Sequence, residues 1–239
     1  MLQGRANRMT GEPGIVVSPA RSSAPFFARI AQNISILTVP SIATAVTLII
    51  AWQWREQPFP LFDGVLAPAN SPDIHPSNWL SWGHAAVPVV FLITNLVNRR
   101  FGEGYALAHV LVSSAIAAAV TLAVMAGYVS LSPPYVHAPP LRVASSFFAA
   151  LVLGQLAGVY VFDRTRGVAW WNAPAYGALT SSFVAMPLFY CVAYIGTGWD
   201  WVHHLSIDLG LKSLASFALL IPYFLLRRIV PPRPGLGGF

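Results

Sequence analysis

Residues 34–54 read ISILTVPSIATAVTLIIAWQW, an apolar stretch without a charged side chain that is long enough for a helix to cross a bilayer. Five further apolar stretches follow, at 79–99, 105–128, 142–162, 173–196 and 207–230. The chain of 239 residues is 56% hydrophobic and only 9% charged, whereas a soluble domain carries about 25% charged residues. The sequence therefore predicts an all-α polytopic membrane protein, a bundle of about six transmembrane helices.

Basic residues occur in alternate loops of this predicted bundle. Eleven of the 14 Lys and Arg residues lie before the first stretch or at and after the C-terminal ends of the second, fourth and sixth, whereas the opposite side holds only Arg55 and, at a boundary, Arg142. Because cytoplasmic loops of membrane proteins are enriched in Lys and Arg, both termini are predicted to be cytoplasmic, in a cell inner membrane. We expect a flexible cytoplasmic tail at 1–28, a transmembrane domain at 29–230 and a short Pro/Gly-rich cytoplasmic tail at 231–239.

Four prolines lie inside the apolar stretches, namely Pro40, Pro88, Pro187 and Pro222. A proline inside a helix removes one backbone hydrogen bond and crowds the carbonyl group four residues earlier. Kinks or breaks of the helices are therefore expected at these positions.

Ionisable residues are rare within the stretches, and they are candidates for function because burying a charge in a bilayer is unfavourable. Asp208 and Lys212 are four residues apart, so they share one face of a helix. They fit either a self-neutralising pair that reaches the interface or a pair facing the bundle that binds substrate or moves a proton. Arg142 begins the fourth stretch and fits either an interfacial anchor or a fixed cation at a cavity entrance.

Uncharged polar residues supply further candidates for substrate binding. Asn95 and Gln155 each carry an amide that donates and accepts hydrogen bonds, so either side chain can pair with the edge of a nucleobase or with another helix. Ser181 and Ser182 fit packing positions or hydrogen-bond donors of a cavity.

Several classes of function lack their sequence signals. His203 and His204 are adjacent, so on a helix they point about 100° apart and do not share a metal ion easily. No HExxH, Walker loop, GxSxG or CxxC motif occurs, and Cys191 is the only cysteine. We therefore expect no metal, no cofactor and no enzymatic activity. The net charge of +6 comes from scattered arginines and one lysine, so no nucleic-acid partner is expected.

Four ordered segments resemble the queuosine-precursor transporters, the VUT family of integral membrane proteins. These segments are WGHAAVPVVFLITNLVNRRFG (82–102), RVASSFFAALVLGQLAGVYVFDRTR (142–166), WWNAPAYGALTSS (170–182) and IDLGLKSLASFALLIPYF (207–224). The resemblance implies a transporter that imports 7-deazaguanine-type bases for salvage in tRNA modification. It also implies roles in substrate binding for Arg142, Gln155 and Lys212, which match positions of the family pattern.

Two positions depart from that family pattern. Asn95 and Ala185 stand where the family usually has aspartate. An amide can still pair with a base, but it cannot carry a proton, so proton coupling through these two positions is not expected.

Two other functions are compatible with the residues. The first is a non-transporting accessory subunit that packs against a larger membrane complex, which would explain the missing carboxylates and the 13% aromatic content. The second is an intramembrane enzyme built on Asp200, His203 and His204, although their spacing follows no catalytic pattern. The expected partners are the lipid bilayer and a small heterocyclic substrate, with a homodimer left open.

Overall fold

The computed structural model describes residues 26–63, 75–127 and 140–233, and within them the chain is a set of α-helices. The seven α-helices of these ranges are α1 (Phe26–Gln53), α2 (Trp82–Phe101), α3 (Glu103–Met125), α4 (Pro140–Arg164), α5 (Asn172–Tyr194), α6 (Trp201–Ala218) and α7 (Leu220–Ile229). Extended pairing in these ranges is limited to one isolated bridge between Pro58 and Ser81. The predicted all-α polytopic membrane architecture is confirmed.

Five segments of the described chain are long and apolar enough to cross a membrane. They are Ser35–Gln53, α3, α4, α5 and the continuous stretch Trp201–Ile229, which contains α6 and α7. Helix α2 has 20 residues and is less apolar, since it buries Thr94, Asn95 and Asn98. It contacts every helix from α3 to α7, and a helix surrounded by protein does not need an apolar surface for lipid.

Helix α1 begins at Phe26, eight residues before the start of the apolar stretch at 34. The compact unit that contains the bundle begins at Ile36, within this helix. Within the bundle, buried His109 of α3 lies 3.2 Å from the hydroxyl groups of both Ser41 and Thr44, which joins α3 to α1. The predicted N-terminal tail lies outside the described residues up to residue 25, and the predicted C-terminal tail does so from residue 234.

A proline ends the penultimate helix. Helix α6 stops at Ala218, and α7 starts at Leu220 with Pro222 in its first turn. The ring of Pro222 would crowd the carbonyl group of Ala218, four residues earlier, and it offers no N–H to that carbonyl. The predicted break is confirmed here, whereas Pro40, Pro88 and Pro187 lie within helices that continue through them.

Helices α4 and α5 form the most extensive helix pair, and glycine permits their close approach. A Cβ atom added to Gly154 would lie 2.5 Å from the carbonyl oxygen of Ser181 and 2.6 Å from Cβ of Ala185. A Cβ on Gly158 would lie 2.6 Å from the carbonyl oxygen of Gly177. Small residues four apart are a general means of close packing between membrane helices, and here they fix the position of α4 against α5.

Candidate substrate-binding cavity

One end of the bundle contains a cavity of about 550 Å³. It is enclosed where α1 and α5 end and where α2, α4 and α6 begin, and the segment 77–81 covers part of its rim. This volume falls in the range of about 300–1,000 Å³ that is typical of small-molecule sites.

Backbone hydrogen bonds hold the rim of the cavity. The amide of Phe59 donates to the carbonyl oxygen of Leu80 at 2.9 Å, and the amide of Trp82 donates to that of Gln57 at 3.0 Å. The amide of Ser77 donates to Oδ1 of Asp63 at 2.9 Å. Hydrogen bonds from Ser77 lower the pKa of the Asp63 carboxyl below its usual value, so this contact favours the charged carboxylate.

An ion pair forms the floor. Asp208 and Lys212 lie one turn apart on α6, and Nζ of Lys212 donates to Oδ1 of Asp208. Both residues line the cavity and are about 1% exposed. Because two buried opposite charges neutralise each other, the pair tolerates burial that neither residue would tolerate alone.

A histidine and a tyrosine form a second polar group on the cavity wall. His84 is held by a capping box at the start of α2, in which the amide of Ser81 donates to Nδ1 of His84 at 3.1 Å. Since that nitrogen accepts a hydrogen bond, the neutral ring carries its proton on Nε2. Nε2 lies 3.2 Å from the hydroxyl oxygen of Tyr190 and therefore donates to it. Tyr190 lines the same cavity as Asp208 and Lys212, so the wall and the floor each contribute polar groups to it.

Aromatic rings make up most of the remaining wall. The lining includes Trp52, Trp79, Phe147, Phe189, Tyr190, Tyr194 and Trp199. Ring centroids of Trp52 and Phe147 are 5.6 Å apart, and those of Tyr194 and Trp199 are 4.4 Å apart. Such surfaces stack on planar heterocycles regardless of their identity, so the walls favour an aromatic ligand.

The formal charges of the lining cancel. Arg55 and Lys212 are positive, and Glu56 and Asp208 are negative. With His84 and His204 counted as neutral, the lining contributes no net charge. The cavity is thus suited to a neutral ring that carries both donors and acceptors.

Two of the seven predicted binding residues, Asp208 and Lys212, lie in this cavity. Arg142 lies outside its lining: Nε donates to the carbonyl oxygen of Val192 and Nη2 to that of Ile195, each at 2.8 Å. These carbonyl groups belong to the C-terminal end of α5, where backbone carbonyl groups have no hydrogen-bond partner within the helix. Arg142 therefore ties the start of α4 to the end of α5.

The other four predicted residues lie with Thr94 in a buried polar layer below the floor, which we define as Thr94, Asn95, Gln155, Ser181 and Ser182. Gln155 is one turn further along α4 than Leu151, which lines the cavity. Oε1 of Gln155 accepts from the hydroxyl of Thr94 at 2.8 Å, and Nδ2 of Asn95 donates to the carbonyl oxygen of Pro174 at 3.0 Å. None of the five lines the main cavity, but Asn95 borders a crevice of about 10 Å³ beside α7.

The end of the bundle opposite the cavity is tied together by polar contacts. Nη2 of Arg166 donates to the backbone and side-chain oxygens of Asn98 at 3.0 and 2.9 Å, and Nδ2 of Asn98 donates to the carbonyl oxygen of Val159 at 3.1 Å. Arg166 also pairs with Asp163 at 2.8 Å. These contacts join α2 to α4. The cavity therefore lies at one end of the bundle, and this set of polar contacts lies at the other end.

The sequence patterns did not indicate that His84, Tyr190 or the aromatic wall belongs to the site. One signal was available, because aromatic residues recur at the same end of α1, α2, α4 and α5. In the described ranges no three His, Cys, Asp or Glu side chains gather to hold a metal ion.

Comparison with known proteins identifies a family profile and two relatives to which the chain is similar. A family profile described as "Putative vitamin uptake transporter" matches residues 81–226. The chain is 28% identical over 158 residues to a "Probable queuosine precursor transporter" of Haemophilus influenzae, covering 60% of this chain and 66% of that protein. It is 26% identical over 158 residues to the "Queuosine precursor transporter" of Escherichia coli, covering 60% of this chain and 71% of that protein. No solved structure matches the chain.

Proposed function

Because the chain belongs to the vitamin uptake transporter family, we propose that it imports queuosine precursors, 7-deazaguanine-type bases, across the cell inner membrane. The names of two relatives support this substrate class. The protein would act without a chemical step, by moving the intact base through the bundle.

The observation that carries the proposal is the aromatic cavity with an ion pair at its floor. A planar base of this size fits a cavity of about 550 Å³, and rings such as Trp52 and Phe147 can stack on its faces. Asp208 and Lys212 can then contact its polar edge. An accessory subunit that serves only for packing would need no such cavity.

The distribution of arginine supports an orientation for uptake. The cavity lies at the end of the bundle whose loops carry Arg55 and Arg142, whereas the opposite end carries Arg99, Arg100, Arg164, Arg166, Arg227 and Arg228. Since the arginine-rich side of a membrane protein is cytoplasmic, the cavity would face outward and both termini would be cytoplasmic.

Alternating access would then require two rearrangements. The floor at Asp208 and Lys212 would have to open toward the polar layer, and the contacts of Arg166 with Asn98 would have to separate at the cytoplasmic end. The polar layer would offer hydrogen bonds to the base on its way inward. In this proposal the conformation described here would be the outward-facing member of such a cycle.

Salvage in living cells tests the proposed function. The gene is expressed in a bacterial host that lacks both its own importer and the synthesis of the precursor, and the medium is supplied with 7-deazaguanine precursors. We expect queuosine to reappear in the tRNA. Absence of queuosine despite a normal amount of the protein in the membrane would refute import of these bases.

A further inference from the structure

The floor of the cavity presents an acceptor and a donor side by side. Asp208 offers carboxylate oxygens, of which Oδ1 is paired with Nζ of Lys212 one helical turn away. An ammonium group only donates hydrogen bonds and a carboxylate only accepts them. The floor therefore has a fixed polarity, with acceptors at the Asp208 position and donors at the Lys212 position.

That polarity selects against a charged ligand group. An anionic group that approached Lys212 would be repelled by Asp208, and a cationic group that approached Asp208 would be repelled by Lys212. A neutral edge that carries donors beside an acceptor interacts favourably with both side chains. Burial strengthens this selection, because each side chain is only about 1% exposed and an unpaired group there is unfavourable.

The 2-amino-4-oxopyrimidine edge matches the floor. It presents an amino group, a ring N–H and an oxo group in a row. The first two donate to a carboxylate, and the third accepts from an ammonium group. An adenine-type edge fails because it places a ring-nitrogen lone pair against the carboxylate and offers Lys212 no oxo group.

The neighbouring wall presents a second polar group to the cavity. His84 donates from Nε2 to the hydroxyl of Tyr190, and both residues line the same cavity as Asp208 and Lys212. Rings such as Trp52 and Trp199 can hold the base but cannot distinguish its edges, so discrimination falls to the floor.

We propose that Asp208 and Lys212 together recognise the 2-amino-4-oxopyrimidine edge of the substrate, with Asp208 accepting from the amino group and ring N–H and Lys212 donating to the oxo group. This inference rests on the proposed function. The inference extends the proposed function by assigning the specificity to one edge of the ring. Any bicyclic base with this edge should therefore compete for the cavity.

Three ring compounds that differ only at this edge test the inference in cells that take up a labelled precursor. 7-Deazaguanine should compete with the labelled compound. 7-Deazahypoxanthine, which lacks the amino group, should compete roughly 10-fold to 100-fold less well, and 7-deazaadenine should compete less than either. Equal competition by all three compounds would overturn the inference and leave the proposed function intact.

A pair of variants places the discrimination at the floor. Asp208→Asn keeps the size of the side chain but replaces one acceptor oxygen by a donor, and it should reduce the preference for 7-deazaguanine over 7-deazahypoxanthine to within about threefold. Asp200→Asn is the matched control, because Asp200 is exposed at the N-terminus of the same helix and asparagine also caps helices. A preference that survives in Asp208→Asn would overturn the assignment.

A binding measurement separates failure of the inference from failure of the proposed function. The purified full-length wild-type protein is titrated with each of the three compounds, and quenching of its tryptophan fluorescence is recorded. If cells take up no precursor, the proposed function is wrong. Tighter binding of 7-deazaguanine than of the other two would then still support recognition of this edge, and equal or absent binding would overturn it.

Discussion

Thr94 donates a hydrogen bond of 2.8 Å to Oε1 of Gln155, while Nε2 of the same amide has no hydrogen-bond partner in the described part of the chain. Gln155 is fully buried in α4. Leaving a buried donor unpaired costs about 1–3 kcal/mol, so this position is not optimised for stability alone. If Nε2 of Gln155 contacted the substrate below the floor, that contact would account for its lack of a partner within the protein.

Substitutions of the two residues should therefore differ in their effects. Gln155→Leu removes the unpaired amide, and Thr94 can then donate to a carbonyl of its own helix, so the free energy of unfolding should change by less than about 1 kcal/mol. Uptake of the labelled precursor should nevertheless fall at least about tenfold, if the amide contributes one hydrogen bond of about 1.4 kcal/mol to transport.

The control for this prediction is Thr94→Val, which preserves the shape of the side chain but leaves the whole amide of Gln155 unpaired. It should lower the free energy of unfolding by about 1–3 kcal/mol. Thermal unfolding in detergent measures both variants. Equal destabilisation together with unchanged uptake in Gln155→Leu would identify the two residues as a structural contact only.

The ion pair at the floor makes a second prediction. Lys212→Met leaves the buried carboxylate of Asp208 without its partner and should destabilise the protein by about 3–5 kcal/mol. The double variant Asp208→Leu with Lys212→Met removes both charges and should recover most of that stability, because an apolar pair of similar volume tolerates burial. Thermal unfolding distinguishes the two variants.

Uptake provides the second readout for the ion pair. The double variant should remain inactive even though it is folded, since its floor has lost both the acceptor and the donor. Recovery of uptake together with stability would show that the pair serves the fold and not the substrate.

Arg142 is expected to act on stability more than on substrate affinity. Arg142→Ala removes two hydrogen bonds to the end of α5, at Val192 and Ile195, and should destabilise the protein by about 1–2 kcal/mol. Arg142→Lys should fall between wild type and Arg142→Ala, because a lysine cannot reproduce the two-pronged geometry of a guanidinium group. A concentration series of uptake would contradict this account if Arg142→Ala raised the half-saturating concentration more than about threefold.

Membrane orientation can be measured with single cysteines. In a Cys191→Ser background, Leu61→Cys places a thiol in the loop between α1 and α2, and Val168→Cys places one between α4 and α5. Both native side chains are exposed, at 63% and 108%. In intact cells a membrane-impermeant maleimide should label position 61 but not position 168, which should react only after lysis. The reverse pattern would place the cavity on the cytoplasmic side.

Local sequence patterns were sufficient for most of the fold. Apolar stretches of the length of a bilayer correspond closely to α3, α4 and α5, and Pro222 marks the break between α6 and α7. The beginning of α1 was missed because FFARIAQN contains polar residues and falls outside an apolar window. Helix α2 was identified by length, although its burial by five other helices makes it less apolar.

The candidate site was less accessible to prediction. The i, i+4 spacing of Asp208 and Lys212 was visible in the sequence, and the structure places both in the cavity. The contact between His84 and Tyr190 joins residues 106 positions apart, and no local pattern encodes such a distance. The carbonyl partners of Arg142 could not be foreseen either, because they depend on how α4 packs against α5.

Uptake by the purified protein in liposomes tests the central claim most directly, since no other component of a cell is present. We expect saturable uptake of a labelled 7-deazaguanine precursor into liposomes with the wild-type protein, reduced at least about tenfold by Asp208→Asn, in keeping with the loss of one charged hydrogen bond. Asp200→Asn should transport like wild type. Wild-type uptake no faster than that of protein-free liposomes, or full activity of Asp208→Asn, would contradict the account.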